Sequence, residues 1–287
     1  MRSPAVFQFL PENKFKLVTL ENTSHAFGAG DCLDVMRYIP NKSLDLIITD
    51  PPYNRDINYG GFYKDRMKDD AYFDYINERI GRSIDLLKDT GSLYVITYPE
   101  QAIELHTYLK SKLKFRRWLT WHYPTNIGHS KKNFTRSQRT ILFFTKTSKY
   151  TFNRNSALLP YKNPKDIRIR NLVKNGSKGR MMYDTIYPDD LLKFNLMKNI
   201  NKNRQQWHRC QLPFDLLGLL IRVSSNKKDT IFDPFAGTFS LNLVASELSR
   251  NSIGLEINPK YVKLGIRRIK NRLCYRKLTF PFRFSQS

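Results

Sequence analysis

The chain reads as an α/β protein built on a doubly wound, mostly parallel sheet, with a basic insert outside that sheet. Three observations predict this. Short apolar runs alternate with segments of helical periodicity along most of the 287 residues, the pattern of strands joined by crossover helices. The run Leu-Asp-Leu-Ile-Ile-Thr at 44–49 is apolar or β-branched at five of six positions, as in a strand buried on both faces. Residues 230–258 read as a strand, a turn of small residues, a helix and a second strand ending in an acid, which is nucleotide-binding βαβ logic.

Taken in order, residues 1–24 form an N-terminal arm with no regular pattern. Residues 26–32 read as a short strand or turn ending in Gly30-Asp31. A helix over 33–39 presents Leu33, Met36 and Ile39 on one side and stops at Pro40. The strand at 44–49 then runs into Asp50-Pro51-Pro52-Tyr53. Neither proline can donate to a sheet ladder, so the strand ends there, and the two rings stiffen the backbone that carries Asp50 and Tyr53. Residues 55–70 are polar, contain Gly60-Gly61 and read as a mobile loop beside this turn.

Phe73, Ile76, Ile80, Ile84 and Leu87 recur at three or four and predict a helix over 71–88, closed by Asp89-Thr90-Gly91. A strand at 92–97 and a helix at 99–112, with Pro99 in its first turn, follow. Residues 115–123 and 140–146 read as strands around a polar stretch containing Gly128-His129. Residues 154–206, with Pro160, Pro164, Gly176, Gly179 and Pro188, break the rhythm and read as an insert lying outside the main sheet. Order returns with a helix at 214–223, a strand at 230–233, a helix at 239–249, a strand at 252–256 and a helix at 259–272, whose basic end suits its dipole. The division is an arm (1–24), a first half of the main domain (25–153), the insert (154–206), a second half (207–275) and a tail (276–287).

Lys and Arg number 49 against 25 Asp and Glu, a net +24 that favours a polyanion as partner. The distribution sharpens this. Between 105 and 165 there is no Asp or Glu but 14 Lys and Arg, interleaved with Trp118, Trp121, Tyr123, Phe134 and Tyr150, which reads as a contiguous basic face. Cys32, Cys210 and Cys274 are too few and too far apart for a disulfide framework or a zinc cluster, and fit a reducing, intracellular setting. His106, His122 and His129 lack metal-ligand spacing, so no metal is expected. Residues 1–13 lack the apolar core of a signal peptide, and no run approaches the roughly 18 apolar residues of a membrane span. The expectation is a cytoplasmic protein that works on nucleic acid, away from membranes.

A carboxylate and an aromatic ring on a rigid turn, at the C-terminal end of a parallel strand, sit where such sheets place ligands. Asp50 and Tyr53 therefore suit a flat heterocycle bearing an amino group; the plainer alternative is a capping Asp in a Pro-rich turn. In the second segment Gly237 lets backbone approach a ligand, and Glu256, 19 residues later, is placed to bond vicinal ribose hydroxyls. One glycine at the turn supports a pyrophosphate cradle poorly. A cofactor with adenosine but no phosphate fits better, and an ordinary strand–helix crossover is the alternative.

Together, Asp-Pro-Pro-Tyr after a hydrophobic strand and Asp-Pro-Phe-Ala-Gly at 233–237 before a helix resemble the DNA amino-methyltransferases. These transfer a methyl group from S-adenosylmethionine to adenine N6 or cytosine N4. The order, catalytic tetrapeptide first and cofactor loop last, is similar to the permuted β group. The match extends over most of 26–153 and 207–272, including Gly30-Asp31 and Ile-Gly-Leu-Glu-Ile-Asn at 253–258. The resemblance implies a Rossmann-like methyltransferase fold, S-adenosylmethionine as cofactor and double-stranded DNA as partner. It also admits a homodimer and a cognate restriction endonuclease.

Carried over by residue, the catalytic set is Asp50, Pro51, Pro52 and Tyr53. Asp50 and the Pro51 carbonyl would accept the target amino protons, and Tyr53 would stack on a base turned out of the duplex. Asp31, Asp233, Phe235, Gly237, Thr238, Glu256, His208 and Gln211 would serve the cofactor. The last two belong to 208–213, which stands where the family has His-Pro-Thr-Gln-Lys-Pro. Phe239 replaces a glycine usual in the cofactor loop, and Arg209, Cys210 and Leu212 replace Pro, Thr and Lys; these departures touch the cofactor side and leave Asp50 and Tyr53 alone. DNA would be held by Lys131, Lys132, Arg136 and Arg139 in the basic stretch and by Arg168, Arg170, Lys174, Lys178 and Arg180 in the insert. The insert is expected to recognise the target, since Arg and Asn are the usual readers of base edges. Adenine N6 is favoured because Asp leads the tetrapeptide, where Ser is more usual in cytosine-N4 enzymes. Methylation of RNA or of a protein amide, and a nucleic-acid-binding protein with a dead site, are the further alternatives.

Overall fold

A computed structural model describes residues 4–57, 61, 63, 65–123, 132–159, 165–176, 180–181, 192–196, 205, 207 and 210–271. A short helix α1 (Ala5–Gln8) precedes the strands β1 (Phe15–Leu20) and β2 (Thr23–Ala29), and α2 (Cys32–Met36) follows. Next come β3 (Leu44–Thr49), α3 (Asp69–Leu86), β4 (Leu87–Thr97), α4 (Pro99–Lys110), β5 (Lys114–His122) and β6 (Gln138–Thr145). The insert supplies one 3-10 turn (Arg154–Ala157), β7 (Leu158–Leu159), α5 (Ile167–Lys174), β8 (Arg180–Met181) and β9 (Leu192–Lys193). The described chain finishes with α6 (Phe214–Ser224), β10 (Thr230–Asp233), α7 (Ser240–Glu247), β11 (Asn251–Glu256) and α8 (Pro259–Lys270).

Nine strands share one sheet in the order β1-β2-β11-β10-β3-β4-β6-β5-β9, and β7 pairs with β8 separately. The centre, β2-β11-β10-β3-β4, is parallel. Strands β1, β6 and β5 join antiparallel. Side chains alternate across the sheet: Ile47 of β3 packs with α2, α3 and α4, while Leu46 and Ile48 pack with α6 and α7. Helix α3 buries Tyr72, Ile76, Ile80 and Ile84 along one stripe, and Asp69 and Asp70 in its first turn complement its dipole.

The doubly wound expectation holds, and its consequence is positional. The connection from β3 runs through α3 to β4 on one side, and that from β10 runs through α7 to β11 on the other. The topological switch point therefore lies between β10 and β3, and the crevice outside their carboxyl ends is where such sheets hold ligands.

Four local expectations change. The arm, whose structure the sequence leaves open, contributes a strand, because residues 15–20 pair with β2 at the sheet edge. Only Phe15 and Val18 of that strand are buried, too sparse a pattern to signal a strand in the sequence. Asp89-Thr90-Gly91 lies inside β4, which follows α3 without a turn. The insert is not wholly outside the sheet: β9 pairs with β5, and the Trp121 indole donates to the Phe194 carbonyl at 2.8 Å. Finally, the acid-free run is not one face. Its two strands are antiparallel, with Lys114 opposite Thr145 at one end of the sheet and His122 opposite Gln138 at the other, so its cations divide between the two ends. The stretch around Gly128-His129 lies outside the described residues.

Candidate active site

Three carboxylates stand side by side at the carboxyl ends of neighbouring parallel strands: Glu256 on β11, Asp233 on β10 and Asp50 just beyond β3. They face a concave pocket open to solvent at the carboxyl ends of the strands, the place where such sheets hold small molecules. Its wall includes Asp31, Pro51, Tyr53, Phe235, Gly237 and Thr238. Burial pushes Asp50 up to about 7, with Arg139 pulling it down. Burial pushes Asp233 up to about 8; the Phe235 amide opposes this, while Asp50 and Glu256 add to it. Glu256 is pushed up to about 7 by burial, against the amides of Asn258, Gly237 and Ile257. Among the described residues the lining holds no Lys or Arg. A cation bound here would relieve all three acids.

The turn after β3 is pinned from several directions. The Tyr72 hydroxyl of α3 donates to the Pro52 carbonyl at 2.8 Å, and the Gln101 amide of α4 donates to the Tyr53 carbonyl. The Asn54 side chain bonds the backbone of Met67 in both directions, at 2.7 and 2.9 Å. The buried carboxylate of Asp65 accepts from the amides of Asn54, Arg55 and Ile57 at 2.8, 3.0 and 3.3 Å. The loop read as mobile is thus tied to the turn at its described residues. Asp50 accepts from the Tyr53 hydroxyl and lies 3.6 Å from Arg139. The Tyr53 ring packs on Tyr98 with centroids 4.5 Å apart.

On the β10–β11 side of the cavity the Glu256 carboxylate accepts from the amides of Gly237 at 3.0 Å and Asn258 at 2.8 Å. Gly237 has φ 48°, a left-handed conformation that glycine adopts freely. Phe239, also left-handed at φ 56°, does not line the cavity. Its ring turns away onto Phe27 and fills the space left by Gly254 and Gly265, where an added Cβ would sit 2.9 and 2.3 Å from ring atoms. The Phe239 ring therefore leaves the cavity beside residues 233–238 open. Asp31 caps α2 through the Leu33 amide and holds Arg79 by two hydrogen bonds, at 2.6 and 3.1 Å. Burial raises the Cys32 thiol, which makes it a neutral wall and not a nucleophile.

Other candidates are placed differently. Gln211 does not reach the cavity; its side chain accepts from the Gln205 amide at 2.8 Å, while its neighbours Cys210 and Leu212 line the wall. Arg139 is not a surface residue. It is 9% exposed, its guanidinium 4.9 Å from the Tyr53 ring. Arg136 stacks on Tyr98 at 3.9 Å and pairs with Glu100. Lys132, Arg168, Arg170 and Lys174 are exposed, with Arg168 paired to Asp166 at 3.2 Å. Arg180 falls in β8, and Lys131, Lys178 and His208 lie outside the described residues. Sequence reading missed Tyr63 and Tyr75 on the cavity wall and Tyr98 beside Tyr53. Tyr98 did carry a signal, since it directly follows the strand next to β3.

Residues 44–267 match the family model described as DNA methylase. The chain belongs to the N6/N4 DNA methylase family. Among relatives of this methylase, the type II methyltransferase M1.MboII of Moraxella bovis is 32% identical, over 81% of this chain and 91% of its own. The DNA adenine methyltransferase YhdJ of Escherichia coli strain K12 is 31% identical, over 84% and 81%. The fold is shared with the crystal structure of the M1.HpyAVI–SAM complex at TM-score 0.56 and 18% identity, covering 84% of this chain and 98% of that one. Among the described residues no helix is long and apolar enough to cross a membrane.

Proposed function

We propose that this methylase acts on the N6 amino group of adenine in duplex DNA, with the base turned out of the helix. The observation that carries the reading is the row Glu256, Asp233, Asp50, which joins a cofactor wall to a substrate acceptor across the switch point. S-adenosylmethionine supplies a methyl group on a cationic sulfur. The acid-lined cavity, with no Lys or Arg among its described lining residues, suits such a group, with Glu256, Asp233, Phe235, Gly237, Thr238 and Asp31 as the residues that would hold it.

An exocyclic amine is a poor nucleophile because its lone pair is delocalised into the ring. Asp50 counters this by accepting one amino N–H in exchange for the Tyr53 hydroxyl, and the Pro51 carbonyl takes the other. Both bonds favour a tetrahedral nitrogen with a localised lone pair. With its carboxyl pushed up to about 7, Asp50 can also receive the proton that the amine sheds, then release it to water near neutral pH. Tyr53, which lines the cavity, and Tyr98 packed on it are the rings beside Asp50 that the extruded base would meet. Adenine is favoured by the Asp that leads the tetrapeptide and by the 31% identity to an adenine enzyme. The insert, 154–206, is the proposed reader of base edges. Its helix α5 has no buried residue and offers Arg168, Arg170 and Lys174 to a phosphate backbone or groove.

Expression in a host that lacks DNA methylation, followed by mass spectrometry of its nucleosides, tests this. N6-methyladenine in the host DNA is expected. N4-methylcytosine would move the reading to that amine, and methylation confined to RNA would overturn it.

A further inference from the structure

We propose that Arg139 is a positioning residue for methyl transfer: its guanidinium favours the ionised form of the Asp50 carboxyl and leaves its lone pairs open to the substrate amine. The inference rests on Asp50 being the amine acceptor, as read above.

Arg139 sits on β6 one residue before Thr140, which pairs with Thr97, so it stands level with Tyr98 at the site end of the sheet. Three rings surround its guanidinium, Tyr53 at 4.9 Å, Trp121 at 5.2 Å and Tyr98 at 5.6 Å. Stacking of this kind suits the flat, weakly hydrated guanidinium and removes it from water. Its Nε is buried without a hydrogen-bond partner. An arginine buried so deeply needs an anion, and Asp50, 3.6 Å from Nη1, supplies it.

The geometry of the pair is informative. At 3.6 Å the charges attract, but the contact is too long for a hydrogen bond. The Arg79–Asp31 pair, by contrast, is a two-bond clamp at 2.6 and 3.1 Å that occupies its carboxylate. Arg139 thus stabilises the anion without consuming the acceptor. Among the described residues, the titratable groups facing Asp50 are Arg139 on β6, the Tyr53 hydroxyl in the turn, Tyr72 on α3 and Asp233 on β10. Arg139 is the cation among them. Without it, burial and the neighbouring Asp233 would favour the protonated form of Asp50, which accepts the amine N–H more weakly and cannot take up the proton that the amine sheds.

The test compares wild-type protein with Arg139→Gln and Arg139→Lys, with Arg139→Met as a second neutral variant should the glutamine protein not fold. Calorimetric binding of S-adenosylmethionine identifies folded variants. Methyl transfer to duplex DNA is then followed at saturating cofactor from pH 6 to 9.5, and the Asp50 carboxyl is titrated by carbon-13 NMR. The neutral variants are expected to move both the acid limb of kcat and the Asp50 titration upward by about one unit or more. Their rate should fall about tenfold at pH 7 and recover at pH 9, while Arg139→Lys stays near wild type. Folded neutral variants with an unmoved Asp50 titration would overturn the proposal. If the wild type methylates no DNA, the functional reading fails, and the NMR titration still decides the role of Arg139.

Discussion

Asp50 and Glu256 close strands two places apart in one parallel sheet, and burial pushes both carboxyls up to about 7, yet they are satisfied by different kinds of partner. Glu256 is held by the backbone amides of Gly237 and Asn258. Asp50 is held by side chains, the Tyr53 hydroxyl and the more distant Arg139. Amides cannot turn away without unfolding their loop, so Glu256 is a fixed acceptor. A hydroxyl can rotate, so Asp50 can change partners. In the proposed reading, the contrast separates a wall that would bind the cofactor from a group that would exchange bonds during turnover.

Substitution can break that division, the largest effect first. Asp50→Ala should lower methyl transfer by about 10²–10⁴-fold while calorimetric affinity for S-adenosylmethionine stays near wild type. An equal loss of cofactor binding would mean that the two acids do not have separate roles. Glu256→Ala should do the reverse. It should weaken S-adenosylmethionine binding by about 1–3 kcal/mol, the cost of stranding buried amides, and leave kcat at saturating cofactor little changed.

The rigidity assigned to the cofactor loop depends on Phe239 wedged against Gly265. Gly265→Ala should therefore destabilise the protein by about 1–3 kcal/mol in urea unfolding, and by clearly less in a Phe239→Leu background. Additive effects would show that the wedge does not couple α8 to the loop. The smallest effect is electrostatic. Asp50, Asp233 and Glu256 hold their protons more tightly folded than unfolded, so they add stability as pH falls through their folded values. The melting temperature of cofactor-free protein should rise from pH 8.5 to pH 6. Asp233→Asn should flatten that rise, and a cofactor cation should do so as well.

The contrast also separates what the sequence shows from what it hides. Asp50-Pro-Pro-Tyr53 is local information: an acid and an aromatic placed on a strand that prolines must end. Glu256 follows from a spacing that one βαβ unit fixes, and the central strands follow from unbroken apolar runs. Arg139 could not be read in this way. In sequence it belongs to a run without acids, and only the antiparallel register of β6 against β4 carries it to Asp50. The substitution at 239 is visible at once, but the direction of its ring depends on Gly254 and Gly265, which belong to later elements. Residues 15–20 become a strand because β2 offers an edge, not because their own pattern demands it.

Asp65 has a further consequence. One side chain shields the amides of Asn54, Arg55 and Ile57 from solvent hydrogen, so the three are released together whenever the loop lets go. The trio begins one residue after Tyr53. Its shared exchange rate is a built-in clock for opening of the turn that carries Asp50 and Tyr53, readable in the resting protein before DNA or cofactor is added.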